Sequence, residues 1–431
     1  MKLRSYQLDT VAEVKSFFKA GKRAACVVLP TGAGKTITAV SIVQSAFEKQ
    51  SKVLWVVHRW ELISQAANAL RTADVPCGII SPRAPRTYEP VQVASIQTLI
   101  ARDHRPEANI IIFDECHHLV ANTYLQVRRD YPNAFVIGLT ATPGRADGRG
   151  LGNAFDCLVA RVQPRDLIAL NAVEPTQGLV PVTVTGPRTE VKNLCDYPVD
   201  AYRADCSGRP AIAFVGSVKE AERLADAFTL AGIPARSIDG TMSGDDRLRF
   251  VDDFRAGKFL VGVSVQVLTE GFDYPEVSAV ILASKCGSEI NYIQKTGRGM
   301  RPAPWAGKRN CIVLDLLGSS HALHILPDSD RAYSLEGQAV RRSASGELLD
   351  MPQCPRCGTW FECGMWSGGP CPKCGWARPP QRNPAVVKQE RREIDENNLA
   401  RSPSMQSQVR WIQEELTKSR GRTGGILMRF K

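Results

Sequence analysis

The chain has 431 residues, 43% of them apolar, and a net charge of +11. That length suits two or three domains with cores of ordinary size, and the lack of any apolar run of about 18 residues excludes a membrane-spanning helix. The positive charge suggests a polyanionic partner, although an evenly charged surface would give the same total. The opening residues MKLRSYQ contain no apolar signal segment, so a cytoplasmic protein is expected. Of thirteen cysteines, eight are scattered from Cys26 to Cys311 and five fall between Cys354 and Cys374. Without a secretory signal, reduced thiols are a better reading of these than a disulfide framework.

In chain order, a first helix runs from Leu8 to Phe18, and an apolar β-branched run, Ala24–Leu29, follows as a buried strand. The strand leads into LPTGAGKT and then an apolar helical stretch. Strand, glycine-bearing turn and helix form the setting of a phosphate-binding loop. Backbone N–H groups of Thr31, Gly32, Ala33 and Gly34 then face an anion at the helix N-terminus. Lys35 reaches the outer phosphates and Thr36 offers a hydroxyl to Mg²⁺. The usual first glycine of the pattern is replaced by Leu29.

Further strands are expected at Val53–Val57, Val91–Ile96, Ile110–Phe113 and Phe135–Leu139, alternating with helical patterns such as Glu61–Leu70. This alternation predicts a parallel sheet covered on both faces, with ligands beyond the carboxyl ends of the strands. Ile110–Phe113 ends in Asp114 and Glu115. The first can hold Mg²⁺ and the second can act as general base. Phe135–Leu139 ends in Thr140-Ala141-Thr142, two hydroxyls placed to sense a nucleotide or simply to make a turn. Arg4, Tyr6 and Gln7, just before the first helix, can clamp an adenine or stand on the surface.

Residues 151–187 read as a linker between domains 1–150 and 188–320, with one helix-like piece, Arg165–Ala172, and a strand entering the second domain. The second domain resumes the alternation, with strands at Ala211–Val215, Ala235–Ile238, Phe259–Val267, Ala279–Ala283 and Cys311–Leu316, and a helix at Val218–Ala231. It has no phosphate loop. After a helix at Ile290–Lys295 come Arg298 and Arg301, three apart as on one helical face, where two guanidinium forks can neutralise a transferring phosphoryl group.

The ordered segments LRSYQ, LPTGAGKT, VVHRWEL, VASIQTL, DECHH and LTATPGR, then FVGSVKEAERLADAF, VSVQVLTEGFDYPEV and YIQKTGRGMRP, resemble the motifs of superfamily 2 helicases of the DEAD/DEAH-box group, with DECH here. The resemblance spans about residues 3–317. Its wording is most similar to the branch of restriction-enzyme motor subunits and DNA-repair translocases. It implies two RecA-like lobes with ATP between them, and duplex DNA as the favoured polymer, with RNA possible. By the same resemblance Gln7, with Arg4, reads adenine, and His117, Thr140 and Thr142 couple the nucleotide to movement. Gly271 and Asp273 contact nucleotide, and Gln294, Arg298 and Arg301 form the Q-x-x-G-R-x-x-R motif. His58, Arg59, Ser95, Gln97, Thr98, Ser217 and Thr269 are the implied nucleic-acid contacts. A non-motor adaptor that uses ATP as a clamp is the alternative class.

Past a polar connector, 321–352, in which His321 and His324 suit capping better than a metal, the pairs Cys354/Cys357 and Cys371/Cys374 form C-x₂-C, a thirteen-residue spacer, and C-x₂-C. Four thiolates in two knuckles suit tetrahedral Zn²⁺ and define a ribbon over 353–378, with Cys363 a bystander. Trp360, Phe361, Trp366 and Trp376, with Arg356 and Lys373, can stack on nucleic acid or fill the ribbon's small core. Residues 379–431 read as a basic linker and tail, with one amphipathic helix over Ser404–Lys418, open to a protein partner.

Overall fold

The computed structural model describes residues 3–58, 60–82, 84–85, 87–102, 105–118, 122–144, 150–174, 178–186, 197–269, 272 and 274–336, together with 354, 357, 359, 361 and 370–375. Arg59, Gly271, Asp273, Arg356, Trp360, Cys363, Trp366, Trp376 and the 379–431 tail, with its expected helix, lie outside the described residues.

Two parallel sheets organise the chain. The first is built from β1 (Ala24–Val28), β2 (Val53–Val57), β3 (Gly78–Ile80), β4 (Val91–Ser95), β5 (Ile110–Asp114), β6 (Phe135–Thr140) and β7 (Cys157–Val159), in the order β3-β4-β2-β5-β6-β1-β7. The second is built from β8 (Val182–Thr185), β9 (Ala211–Phe214), β10 (Ala235–Ile238), β11 (Val261–Ser264), β12 (Ala279–Leu282) and β13 (Cys311–Asp315), in the order β10-β11-β9-β12-β13-β8. Every strand pairing is parallel.

The helices are α1 (Ser5–Lys19), α2 (Lys35–Phe47), α3 (Trp60–Thr72), α4 (Ile96–Ala101), α5 (Asn122–Arg129), α6 (Pro164–Val173), α7 (Tyr197–Asp205), α8 (Val218–Leu230), α9 (Gly244–Arg255), α10 (Glu289–Thr296) and α11 (Ser319–Leu323). None of the described helices is long and apolar enough to cross a membrane.

β1 and β2 are buried along their whole length, which is why both read as continuous apolar runs. Alternate residues of β1 enter opposite faces. Ala25 and Val27 join one apolar cluster with Trp55 and Ile137, while Ala24, Cys26 and Val28 join another with Phe113 and Phe155. The second sheet is sandwiched in the same way, with Phe214, Phe254 and Tyr292 on one face and Tyr202, Phe228 and Val263 on the other.

The stretch 151–187, expected to link the lobes, supplies an outer strand to each sheet, β7 to the first and β8 to the second. One entering strand is expected here and two are found, β7 of three residues and β8, which alternates valine with threonine. Leu179 and Met300 are buried in the core of the first lobe, although Met300 follows α10 of the second, and Val180 N–H donates to Met300 O at 2.8 Å. The lobes therefore meet through packed side chains at this point.

Candidate active site

Parallel strands place their carboxyl ends on one edge of each sheet. The turns after β1, β5 and β6 carry LPTGAGKT, Asp114-Glu115 and Thr140-Ala141-Thr142 to the same edge. The phosphate loop has two left-handed glycines, Gly32 (φ 89°) and Gly34 (φ 81°). The left-handed backbone at both positions favours glycine, and a Cβ on Gly34 or Gly32 would also displace the end of the Gln7 or Leu179 side chain, 2.5 and 2.7 Å away.

Residues of both lobes line one cavity of about 380 Å³. Thr31, Gly32, Gly34, Lys35 and Thr36, with Asp114 and Glu115, form the wall on the first lobe. Gln294, Arg298 and Arg301 form the wall on the second. Lys35 Nζ lies 2.7 Å from Glu115 Oε1. Glu115 has φ 49°, a left-handed angle uncommon for a residue with a side chain and characteristic of strained functional positions. Burial pushes the Asp114 carboxyl up to about 6; the adjoining Glu115 charge adds to this and Lys35 pulls it back. A hydroxyl and a carboxylate, from Thr36 and Asp114, are hard oxygen donors of the kind Mg²⁺ takes. A cation there would relieve the buried Asp114 charge, so the residues fit the metal.

The two arginines do not share a helix, contrary to expectation. α10 ends at Thr296, and they sit in the turns that follow, between Gly297 and Pro302. Gly297 is needed there, since a Cβ would lie 2.8 Å from the Thr31 side chain across the cleft. Arg298, only 8% exposed, donates through Nε to Thr269 O at 2.9 Å and through Nη1 to Phe272 O at 2.7 Å. Arg301 Nη1 donates to the same Phe272 oxygen at 3.1 Å.

Other expected residues occupy nearby but different positions. Gln7 is buried and does not line the cavity; its Nε2 donates to Ala33 O at 3.0 Å, and Tyr6 Oη donates to the same oxygen at 2.9 Å. Arg4 donates to Tyr6 Oη at 2.9 Å. This trio braces the phosphate loop from behind. His117 Nδ1 lies 3.3 Å from Thr140 Oγ1 and 3.5 Å from Glu115 Oε2, and Thr140 Oγ1 accepts from Thr142 N–H at 3.1 Å. One chain of contacts thus joins the turns after β5 and β6. Gln97 Nε2 donates to His58 O at 3.0 Å, and Ser95 Oγ accepts from Thr98 N–H at 3.1 Å, which ties together the turns after β2 and β4. Ser217 caps α8 through Glu220 N–H at 3.3 Å.

Leu62, Gln65, Gly178, Phe272, Pro275 and Pro302 also line the cavity, unforeseen from the sequence. Leu62 and Gln65 lie one turn apart on α3, a spacing that could have marked them. The rest reach the cleft only through the tertiary fold.

The four expected metal cysteines converge. Cys354, Cys357, Cys371 and Cys374 place their sulfurs within 4.8 Å of one another, and none is disulfide-bonded. Two separations, Cys354 to Cys374 and Cys357 to Cys371, are 3.8 and 3.9 Å. A tetrahedral zinc with arms of about 2.3 Å would have edges of about 3.8 Å, so the set fits Zn²⁺. Burial raises the Cys357 thiol, but the hydrogen bonds of Thr359, Cys354 and Cys374 outweigh this and bring it down to about 7. Thr359 forms an antiparallel bridge to Thr185 of β8, which docks the cysteine knuckle on the second sheet.

Residues 1–145 match the family described as type III restriction enzyme, res subunit, and residues 192–303 match the helicase conserved C-terminal domain. The chain is similar to the protein described as mitochondrial ATP-dependent helicase irc3 of Schizosaccharomyces pombe, 30% identical over 363 residues, covering 76% of this chain and 59% of that protein. It is also similar to DNA 3'-5' translocase XPB2 of Sulfurisphaera tokodaii, 26% identical over 362 residues, covering 70% and 79%. Its fold is similar to that of the ATP-dependent type ISP restriction-modification enzyme LlaBIII bound to DNA, with a TM-score of 0.57 and 18% identity over 74% of this chain and 28% of that one.

Proposed function

This chain belongs to the superfamily 2 helicases, in the branch of restriction-enzyme subunits and translocases, and on that premise we propose that it hydrolyses ATP in the cleft between its lobes to move along duplex DNA. The convergence of Lys35, Asp114 and Glu115 from one lobe with Gln294, Arg298 and Arg301 from the other on one cavity carries the reading.

In this reading the loop Thr31–Gly34 and Lys35 hold the phosphates, while Thr36 and Asp114 hold Mg²⁺, which supplies charge neutralisation at the phosphoryl group. Glu115 takes the proton of the attacking water. Arg298 and Arg301 face the developing charge from the opposite wall. His117, Thr140 and Thr142 carry the change at Glu115 to the neighbouring turn, and the turns after β2 and β4 hold the polymer backbone. The charge of +11 supports binding dominated by phosphates, which makes it salt-dependent. Cys354, Cys357, Cys371 and Cys374 hold one Zn²⁺, which folds the ribbon and leaves its outer face for DNA or a protein partner.

ATPase assays with single-stranded DNA, duplex DNA, forked DNA and RNA as activators test the reading. Duplex DNA is expected to stimulate most, and displacement of a third strand from a triplex is expected to accompany turnover. Stimulation by RNA alone would overturn the choice of polymer. ATP turnover indifferent to every nucleic acid would favour the ATP-gated adaptor.

A further inference from the structure

Beyond α11 the chain turns back from the second lobe to the first. Ile325 and Leu326 are buried in the core of the second lobe. A few residues later Tyr333 and Leu335 pack against the core of the first, and Gly152 N–H donates to Leu335 O at 2.7 Å. A short strap, Ile325 to Leu335, therefore joins the lobes in addition to the connecting stretch Leu179–Val180.

Arg331, 6% exposed, is the central residue of this strap. Its N–H donates to Gln163 Oε1 at 3.1 Å, and its carbonyl accepts from Gln163 Nε2 at 3.0 Å. One side-chain amide thus satisfies both main-chain groups of one residue, as a neighbouring strand would. Gln163 is the N-cap of α6, whose Leu167 is buried in the core of the first lobe. Asp330 adds a second tie, 4.0 Å from Arg165 of the same helix.

The Arg331 side chain faces the other way. Its Nη2 donates to Pro327 O at 2.8 Å, and its Nε lies 3.6 Å from Glu289 Oε1. Glu289 opens α10, the helix that carries Gln294 and leads into Arg298 and Arg301. The main chain of Arg331 is thus bound to the first lobe, and its guanidinium is ion-paired with the carboxylate that opens the helix leading to the arginine pair.

We propose that Arg331 is a positioning residue. With Gln163 and Glu289 it holds the lobes apposed independently of nucleic acid, and so presets Arg298 and Arg301 opposite the phosphate loop. The inference rests on the reading of the cleft as the ATP site. A polymer that contacts both lobes supplies its own tie, so the strap governs the population of apposed lobes mainly when no polymer is bound. The apparent affinity and turnover of the free enzyme scale with that population. A residue serving stability alone would alter both conditions equally.

The test compares wild type with Arg331→Met, Gln163→Ala and Glu289→Gln, measuring ATP turnover without nucleic acid and with saturating duplex DNA. The basal kcat/KM for ATP is expected to fall about tenfold in Arg331→Met and Gln163→Ala, and less in Glu289→Gln, which keeps the shape of the contact. With saturating DNA all three should come within about twofold of wild type. Equal losses in both conditions, or no loss in Gln163→Ala, would overturn the proposal. Gln163→Ala leaves the buried guanidinium in place, so it decides the matter even if Arg331→Met fails to fold. Wild type lacking ATPase activity would instead overturn the reading of the cleft.

Discussion

Lys35 and Glu115 face each other across the floor of the cleft, Nζ 2.7 Å from Oε1, so the proposed phosphate-binding cation and the proposed general base neutralise one another. A triphosphate has to draw Lys35 away and leave the carboxylate to the attacking water. Glu115→Gln is expected to bind ATP at least as well as wild type while turnover falls about 10²–10⁴-fold. Lys35→Ala should lose ATP binding as well and remove the cation beside Glu115. Titration of ATP binding alongside single-turnover hydrolysis checks both; near-normal hydrolysis by Glu115→Gln would remove its assignment.

The Arg298 guanidinium, proposed to face the transferring phosphoryl group, also holds the Thr269 and Phe272 carbonyls. Arg298→Ala is expected to lower turnover by roughly 10³–10⁵, the range for a transition-state arginine, with little loss of ATP affinity. Arg298→Lys keeps the charge but cannot reach both carbonyls with one fork. Recovery by lysine of less than about a tenth of the lost rate would separate geometry from charge.

The described cysteine set should hold one zinc per chain. Elemental analysis of the purified protein is expected to find one equivalent, falling well below that in Cys354→Ser and Cys371→Ser. Structural zinc sites in small peptides contribute on the order of 10–16 kcal/mol at pH 7, so chelation should unfold the knuckle while the two lobes keep their thermal transition. Full metal content in both serine variants would rule out the four-thiolate site.

Lys308 offers a pH test. Burial lowers its ammonium to about 8; the Cys311 thiol opposes this, and the Arg301 and Arg209 guanidiniums reinforce it. Its Nζ donates to Pro275 O at 2.7 Å and also to Val277 O, steadying the loop that brings Phe272 and Pro275 to the cleft. The unfolded chain holds this proton more tightly than the folded one. The contribution of Lys308 to stability is therefore greatest above the unfolded pKa near 10.4 and is lost as pH falls toward 8. Relative to Lys308→Met, wild type should gain stability as pH rises from 8 to 10, by differential thermal unfolding. A gap that is flat with pH would mean the ammonium is not desolvated.

The parts of the site that are local in sequence could be read directly. Strand, glycine turn and helix lie within 30 residues around Lys35, and Asp114-Glu115 directly follows an apolar run. Non-local main-chain bonding could not be read in this way. Gln7 is an amide in a first helix whichever way it points, and only the fold shows it donating to Ala33 O of the phosphate loop. Arg331 and Gln163 are separated by 168 residues, and the Gln163 side-chain amide meets main-chain atoms of Arg331, a pairing that leaves no trace in sequence pattern. The edge strand β7 has only three residues, and β8 alternates valine with threonine, so neither forms a continuous apolar run.

The bridge between Thr359 and Thr185 has a consequence for solubility. β8 ends the second sheet, and an unpaired outer strand is a template on which another chain can add. The cysteine knuckle lies against that strand and blocks part of it. Stripping the metal would therefore do more than melt a small appendage: it would uncover a sticky margin, and the demetallated protein should self-associate with a dependence on its own concentration that the intact protein lacks.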